Sequence, residues 1–147
     1  MKRLQRSVPH AHRHIAPEWQ RFAERVVSTA GVLDETTAAI LIAAFAAVAR
    51  DKFVESSEGI ALEDRALPIG YGQVTSTPSL IARMLGLVGL RPGMRVLEVG
   101  CGSGYCSAVM AAAGAQVLRV GVGVQGGLLV EGQGQAVTGG PAEDLGL

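Results

Sequence analysis

The sequence predicts an α/β fold in which N-terminal helices lead into the first strand–loop–helix unit of a doubly wound parallel sheet. Three observations carry this. Met94–Val99 is a short apolar run, Gly100-Cys101-Gly102-Ser103-Gly104 follows it directly, and helix-forming residues begin at Tyr105. A strand, a glycine turn and a helix in that order open a nucleotide-binding sheet, whose ligand sits at the C-terminal ends of the strands. Glycine permits the tight turn and lets backbone N–H groups approach a ligand.

The elements follow in order. Residues 1–16 read as a mobile leader of mixed charge and no periodicity. Its His10, His12 and His14 belong to that tail, with no metal site implied. From Glu18 to Ala30, Trp19, Phe22, Ala23, Val26 and Val27 recur at helical spacing, and Gly31 ends the helix. Asp34 caps the next helix, which is expected to run to about Arg50. Asp51–Pro78 is broken by Pro68, Gly70, Gly72 and Pro78, and a long loop of that kind is usually functional. Pro78 opens a third helix with Leu80, Ile81, Met84, Leu85 and Val88 on one face. After the turn at Arg91-Pro92-Gly93 come the strand, the glycine loop, a helix to about Ala113 and a second strand over Gln116–Val122. The organisation is therefore a leader (1–16), helices with a substrate and cofactor loop (17–92), the start of a Rossmann-like domain (93–124) and a glycine-rich tail (125–147). Ten of the 20 glycines fall between Gly114 and Leu147, and Gln125–Leu147 is assigned no regular element.

Composition narrows the functional classes. The chain has 147 residues, 48% of them hydrophobic, and a formal net charge of zero, which suits one core and argues against a nucleic-acid partner. The longest apolar run, Ala38–Ala49, is well short of the roughly 20 residues a spanning helix needs, and no membrane association is expected. Cys101 and Cys106 are too close to staple a fold, so a reduced, cytoplasmic protein is the expectation.

The spacing in the glycine loop separates two ligand classes. A dinucleotide fingerprint needs G-x-G-x-x-G, and its third glycine would fall on Tyr105. Glu98 followed by Gly100-x-Gly102-x-Gly104 instead resembles the first motif of class I S-adenosylmethionine-dependent methyltransferases. A second block, Glu63-Asp64-Arg65-Ala66-Leu67-Pro68-Ile69-Gly70-Tyr71-Gly72-Gln73 with Ser76 and Pro78, resembles the loop upstream of that motif in protein-L-isoaspartate O-methyltransferases. Val48-Ala49-Arg50-Asp51-Lys52-Phe53-Val54 is similar to that family's "VPRxxFV" signature, with Ala49 in place of proline. The likeness continues through Leu90–Glu98 and covers about Phe22 to Val120.

The resemblance implies a class I methyltransferase that moves the methyl of S-adenosylmethionine onto the α-carboxylate of isoaspartyl residues in damaged proteins or peptides. Ser76 matches the family's active-site serine and is the expected catalytic residue. Its alternative role is the N-cap of the helix opened by Pro78. Gln73, Val74, Thr75 and Ser76, with Glu98, Gly100, Gly102 and Gly104, are the expected cofactor-binding set. Asp64 and Arg65 are candidates for an ion pair bracing the loop, and a monomer is expected.

The pattern breaks after the second strand. The family places an acid there to accept the ribose hydroxyls, and here the position is Gly121, with no acid until Glu131. The tail from about Leu118 is expected not to be the family's native continuation, and a shifted reading frame would account for its composition. The sheet is then incomplete, and the competing function is a non-catalytic remnant that binds cofactor weakly or not at all.

Overall fold

Local chemistry sets the first two helices. The computed structural model describes residues 15–122 and, as backbone, the strands 128–132 and 135–138; the leader up to residue 14, with its three histidines, and the rest of the tail lie outside the described residues. Helix α1 (Pro17–Ala30) has proline in its first turn and ends at Gly31, whose φ of 66° is left-handed. Trp19, Phe22, Ala23, Val26 and Val27 form its buried face. Asp34 caps α2 (Glu35–Ala47) by accepting the Thr37 N–H at 2.7 Å.

Helix α2 is apolar on every side, and it lies against α1 and against the later helices at Pro78–Val88 and Tyr105–Ala112. It stops three residues earlier than the sequence suggested. Val48 turns extended, and a separate 3₁₀ turn covers Arg50–Phe53. Within that turn the Arg50 side chain runs into the interior toward carbonyls further along the chain.

The segment after it is irregular as expected, apart from the single turn α3 (Glu58–Ala61) and one bridge between Pro68 and Val74. Helix α4 (Pro78–Val88) packs on α1 and ends at Gly89, with φ 64°. Strand β1 (Arg95–Val99) then runs into the glycine loop, α5 (Tyr105–Ala112) returns the chain, and β2 (Gln116–Val122) pairs parallel with β1. This is the βαβ unit the sequence predicted.

The tail departs from the sequence reading. Strands β3 (Leu128–Gly132) and β4 (Gln135–Thr138) occupy part of the segment that was assigned no regular element. Both pair antiparallel, giving the order β1-β2-β3-β4. The runs Leu128-Leu129-Val130 and Ala136-Val137 contain strand formers that outweigh the surrounding glycine.

The core joins α1, α2 and α4 to α5 and β2, with Phe22, Val26, Leu41, Phe45, Leu90 and Val109 fully buried. Each such large side chain contributes about 1.5–3 kcal/mol of burial. In the β1–β2 register Leu97 lies beside Leu118 and Val99 beside Val120 on one face, with Glu98 beside Arg119 on the other. The Glu98 carboxylate accepts a hydrogen bond from Ser107 on α5, so α5 covers that second face.

Candidate active site

The glycine loop is built on the end of β2. The Val120 carbonyl accepts the N–H of Gly100 at 2.7 Å and that of Cys101 at 3.4 Å, which ties the loop to the sheet. Gly100, Gly102 and Gly104 have φ of 80°, 52° and 85°, backbone states that a side chain would strain. Among the described residues, the N–H groups of Gly102 and Ser103 make no hydrogen bond and are available to a polar ligand. Gly104 has no capping side chain, so the first-turn N–H groups of α5 lack a side-chain acceptor.

The upstream loop comes to the same place. Leu67, buried, exchanges backbone contact with Thr75, whose N–H donates to the Leu67 carbonyl at 2.8 Å. Gln73 donates to the Gly70 carbonyl, and the chain reverses through Gly70-Tyr71-Gly72 with Tyr71 at φ 51°. This fold of the loop lays Ile69 over the glycine loop, its Cδ1 3.2 Å from where a Cβ on Gly102 would stand. The two motifs recognised separately in the sequence are therefore neighbours.

Between them lies a cavity of about 390 Å³, bounded by α4, the end of β1 and both loops. Of the residues expected to bind cofactor, Val74, Thr75, Ser76, Glu98, Gly100 and Gly102 line it. Gln73 and Gly104 do not: Gln73 closes the loop turn, and Gly104 is buried as the cap of α5. The Thr75 hydroxyl is already engaged, accepting from Arg50 at 2.8 Å.

Ser76 is exposed at the cavity rim, and its hydroxyl makes no hydrogen bond among the described residues. The capping role weighed for it belongs to Thr77, whose Oγ1 accepts the Leu80 N–H at 3.4 Å. Asp64 assists by accepting the Ser79 N–H at 2.9 Å, and it does not pair with Arg65. Arg65 turns instead to Glu63 at 3.3 Å, an exposed pair of little energetic weight.

Glu98 is half-buried, with its carboxylate anchored to Ser107. Burial first, and the Glu98 carboxylate second, push the Cys106 thiol up to about 12, so it stays protonated at neutral pH. The cavity's apolar wall was missed by motif reading. Met84, Leu85 and Val88 of α4 face Leu97 and Val99 of β1. Their helical periodicity marked them as a buried face, yet Val88 is 57% exposed and lines the opening.

At the end of β2, Gly121 carries no side chain, and a Cβ placed there would lie 2.6 Å from Cys101 Sγ. The described residues thus fit the amino-acid end of a cofactor through the loop N–H groups. At the ribose end, no carboxylate stands at Gly121.

Comparison with known proteins bears on this site. Residues 28–137 match the family model described as protein-L-isoaspartate(D-aspartate) O-methyltransferase. The match enters the tail that was expected to be foreign to the family. The protein-L-isoaspartate O-methyltransferase of Methylorubrum extorquens is 42% identical over 105 residues, 71% of this chain and 46% of that one. The enzyme of that name from Klebsiella pneumoniae is 49% identical over 84 residues, 56% of this chain and 38% of that one. The chain spans less than half the length of these relatives. A solved protein-L-isoaspartate O-methyltransferase superposes with a TM-score of 0.57 at 28% identity, covering 73% of this chain and 35% of the other. A Plasmodium falciparum protein described as a protein-L-isoaspartate O-methyltransferase, solved in complex with S-adenosyl-L-homocysteine, gives 0.56 at 23% identity, covering 74% and 50%; it speaks to the fold alone.

Proposed function

The chain belongs to the protein-L-isoaspartate(D-aspartate) O-methyltransferase family, and from that premise we propose that it carries the cofactor and carboxylate-orienting half of a protein-repair methyltransferase. The observation behind this is the meeting of the Ile69–Ser76 loop and the glycine loop around one cavity. The substrate would be an isoaspartyl residue in a damaged protein or peptide, and the cofactor S-adenosylmethionine, which supplies a methyl group on a sulfonium. In this reading 17–92 provides the substrate and cofactor loop, and 93–124 opens the nucleotide-binding domain. Two free cysteines suit a reducing compartment such as the cytoplasm.

The residues present suit the chemistry. An isoaspartyl α-carboxylate is already an anion at neutral pH, so no general base is required. Catalysis is then positioning, to which Ser76 contributes a hydroxyl that makes no hydrogen bond among the described residues. Gly102 and Ser103 offer N–H donors to the cofactor's polar end, while Met84, Val88 and Val99 give one side of the cavity an apolar lining.

A second reading rests on Gly121, where no side chain stands to accept ribose hydroxyls. Such a chain would bind cofactor weakly and turn over nothing. Calorimetry with S-adenosylmethionine and methyl transfer to an isoaspartyl peptide separate the two. The enzyme reading expects both signals, and both are lost in Gly102→Val, which forces a β-branched side chain into positive φ against Ile69. No binding at about millimolar cofactor, a concentration at which even a ~4 kcal/mol ligand registers, supports the remnant.

A further inference from the structure

The most buried charge in the described structure is Arg50, with no exposed surface. Its acceptors are all neutral. Nη1 donates to the carbonyls of Ala61 at 3.4 Å and Glu63 at 3.0 Å, and Nη2 to the carbonyl of Arg65 at 2.7 Å and to Thr75 Oγ1 at 2.8 Å. The guanidinium also lies 5.7 Å from the ring centroid of Tyr105, the first residue of α5. A buried cation without a carboxylate at salt-bridge distance is costly, so its value lies in what its geometry fixes.

What it fixes is the site. Its three carbonyl partners bracket the start of the 63–76 loop, Thr75 immediately precedes Ser76, and Tyr105 immediately follows the glycine loop. We propose that Arg50 is a positioning residue: it clamps the Thr75-Ser76 segment to α5, and so holds the Ser76 hydroxyl against the glycine loop. This rests on the methyltransferase reading of the cavity. The planar fork matters, because a lysine ammonium is a compact head with three N–H donors and cannot reach all three carbonyls and the hydroxyl while lying over an aromatic ring.

The test compares Arg50→Lys, Thr75→Val and Thr75→Ser in the full chain. Hydrogen exchange of amides 63–77 should rise about tenfold or more in the first two, the factor expected from one lost charge-assisted hydrogen bond. Thr75→Ser keeps the hydroxyl and should exchange like the parent, as should the α1 amides in every variant. In turnover, kcat should fall about tenfold for Arg50→Lys and Thr75→Val, with the cofactor KM moving less than about threefold. Unchanged exchange over 63–77, or an increase that spreads equally to α1, would overturn the clamp, as would an unchanged kcat in an active parent. If the parent methylates nothing, the functional reading fails separately and exchange alone decides the clamp. If Arg50→Lys does not fold, the Thr75 pair still decides it.

Discussion

Gly121 and Cys101 occupy one space between them, since a Cβ on the first would stand 2.6 Å from the sulfur of the second. The missing acid was legible in the sequence, because the resemblance implies an acid at the end of the second strand and Gly121 stands there. Its complement was not: Cys101 reads as a spacer until the loop folds back on β2. Arg50 is a similar case. It sits inside a recognised signature, yet its acceptors at residues 61, 63, 65 and 75 are brought to it only by tertiary folding. The Gly121–Cys101 pairing gives a prediction. Gly121→Asp alone should overpack the loop and lower stability by about 1–3 kcal/mol in thermal unfolding. Adding Cys101→Ala should recover that loss. The double variant should then bind S-adenosyl-L-homocysteine about tenfold more tightly by calorimetry, as a restored carboxylate acceptor for ribose hydroxyls would give. Equal affinity in parent and double variant would mean that the ribose does not approach this position.

The elements whose ends are set by neighbouring residues were the readable ones. Gly31 and Asp34 delimit α1 and α2 where the sequence put them, because a left-handed glycine and a capping carboxylate act within one turn. Strands β3 and β4 were not readable, since their pairing is non-local and their glycine content suppresses any pattern. The α2 cap carries a pH prediction. The Asp34 carboxylate accepts the Thr37 N–H at 2.7 Å, the Thr37 hydroxyl at 2.5 Å and the Arg91 guanidinium at 2.9 Å. The Thr37 hydrogen bonds chiefly, with Arg91 assisting, hold its pKa below the ordinary 3.8. A depressed carboxylate stabilises the fold fully above its unfolded pKa and loses that contribution as pH falls through the folded value. The parent should therefore melt above Asp34→Ala at about pH 6, and the gap should narrow as pH falls below the ordinary carboxylate range. A gap that persists unchanged in acid would show that the cap acts without its charge.

Among the described residues, one sheet face is covered only where α4 faces it across the cavity. Helix α5 shields the side bearing Val96, Glu98 and Val117, while on the other side Leu97, Val99 and Leu118 are 59%, 76% and 44% exposed. Parallel strands are normally buried on both faces. Strand β1 also stands at an edge of the sheet, with its outer backbone groups outside the β ladder. An apolar face beside an open edge favours self-association, so the expected monomer should be confined to dilute solution. In sedimentation velocity the mean mass should exceed one chain as concentration rises from about 5 to about 200 μM, a range in which apolar contacts with micromolar dissociation constants populate. Val99→Lys places a charge at the open edge, and Leu118→Lys places one in the middle of the face. Both should restore the mass of one chain and reduce binding of a hydrophobic dye, without lowering the melting temperature, since neither side chain is buried. A constant single-chain mass across that range, with no dye bound by the parent, would mean that the face is covered in solution by residues outside those described.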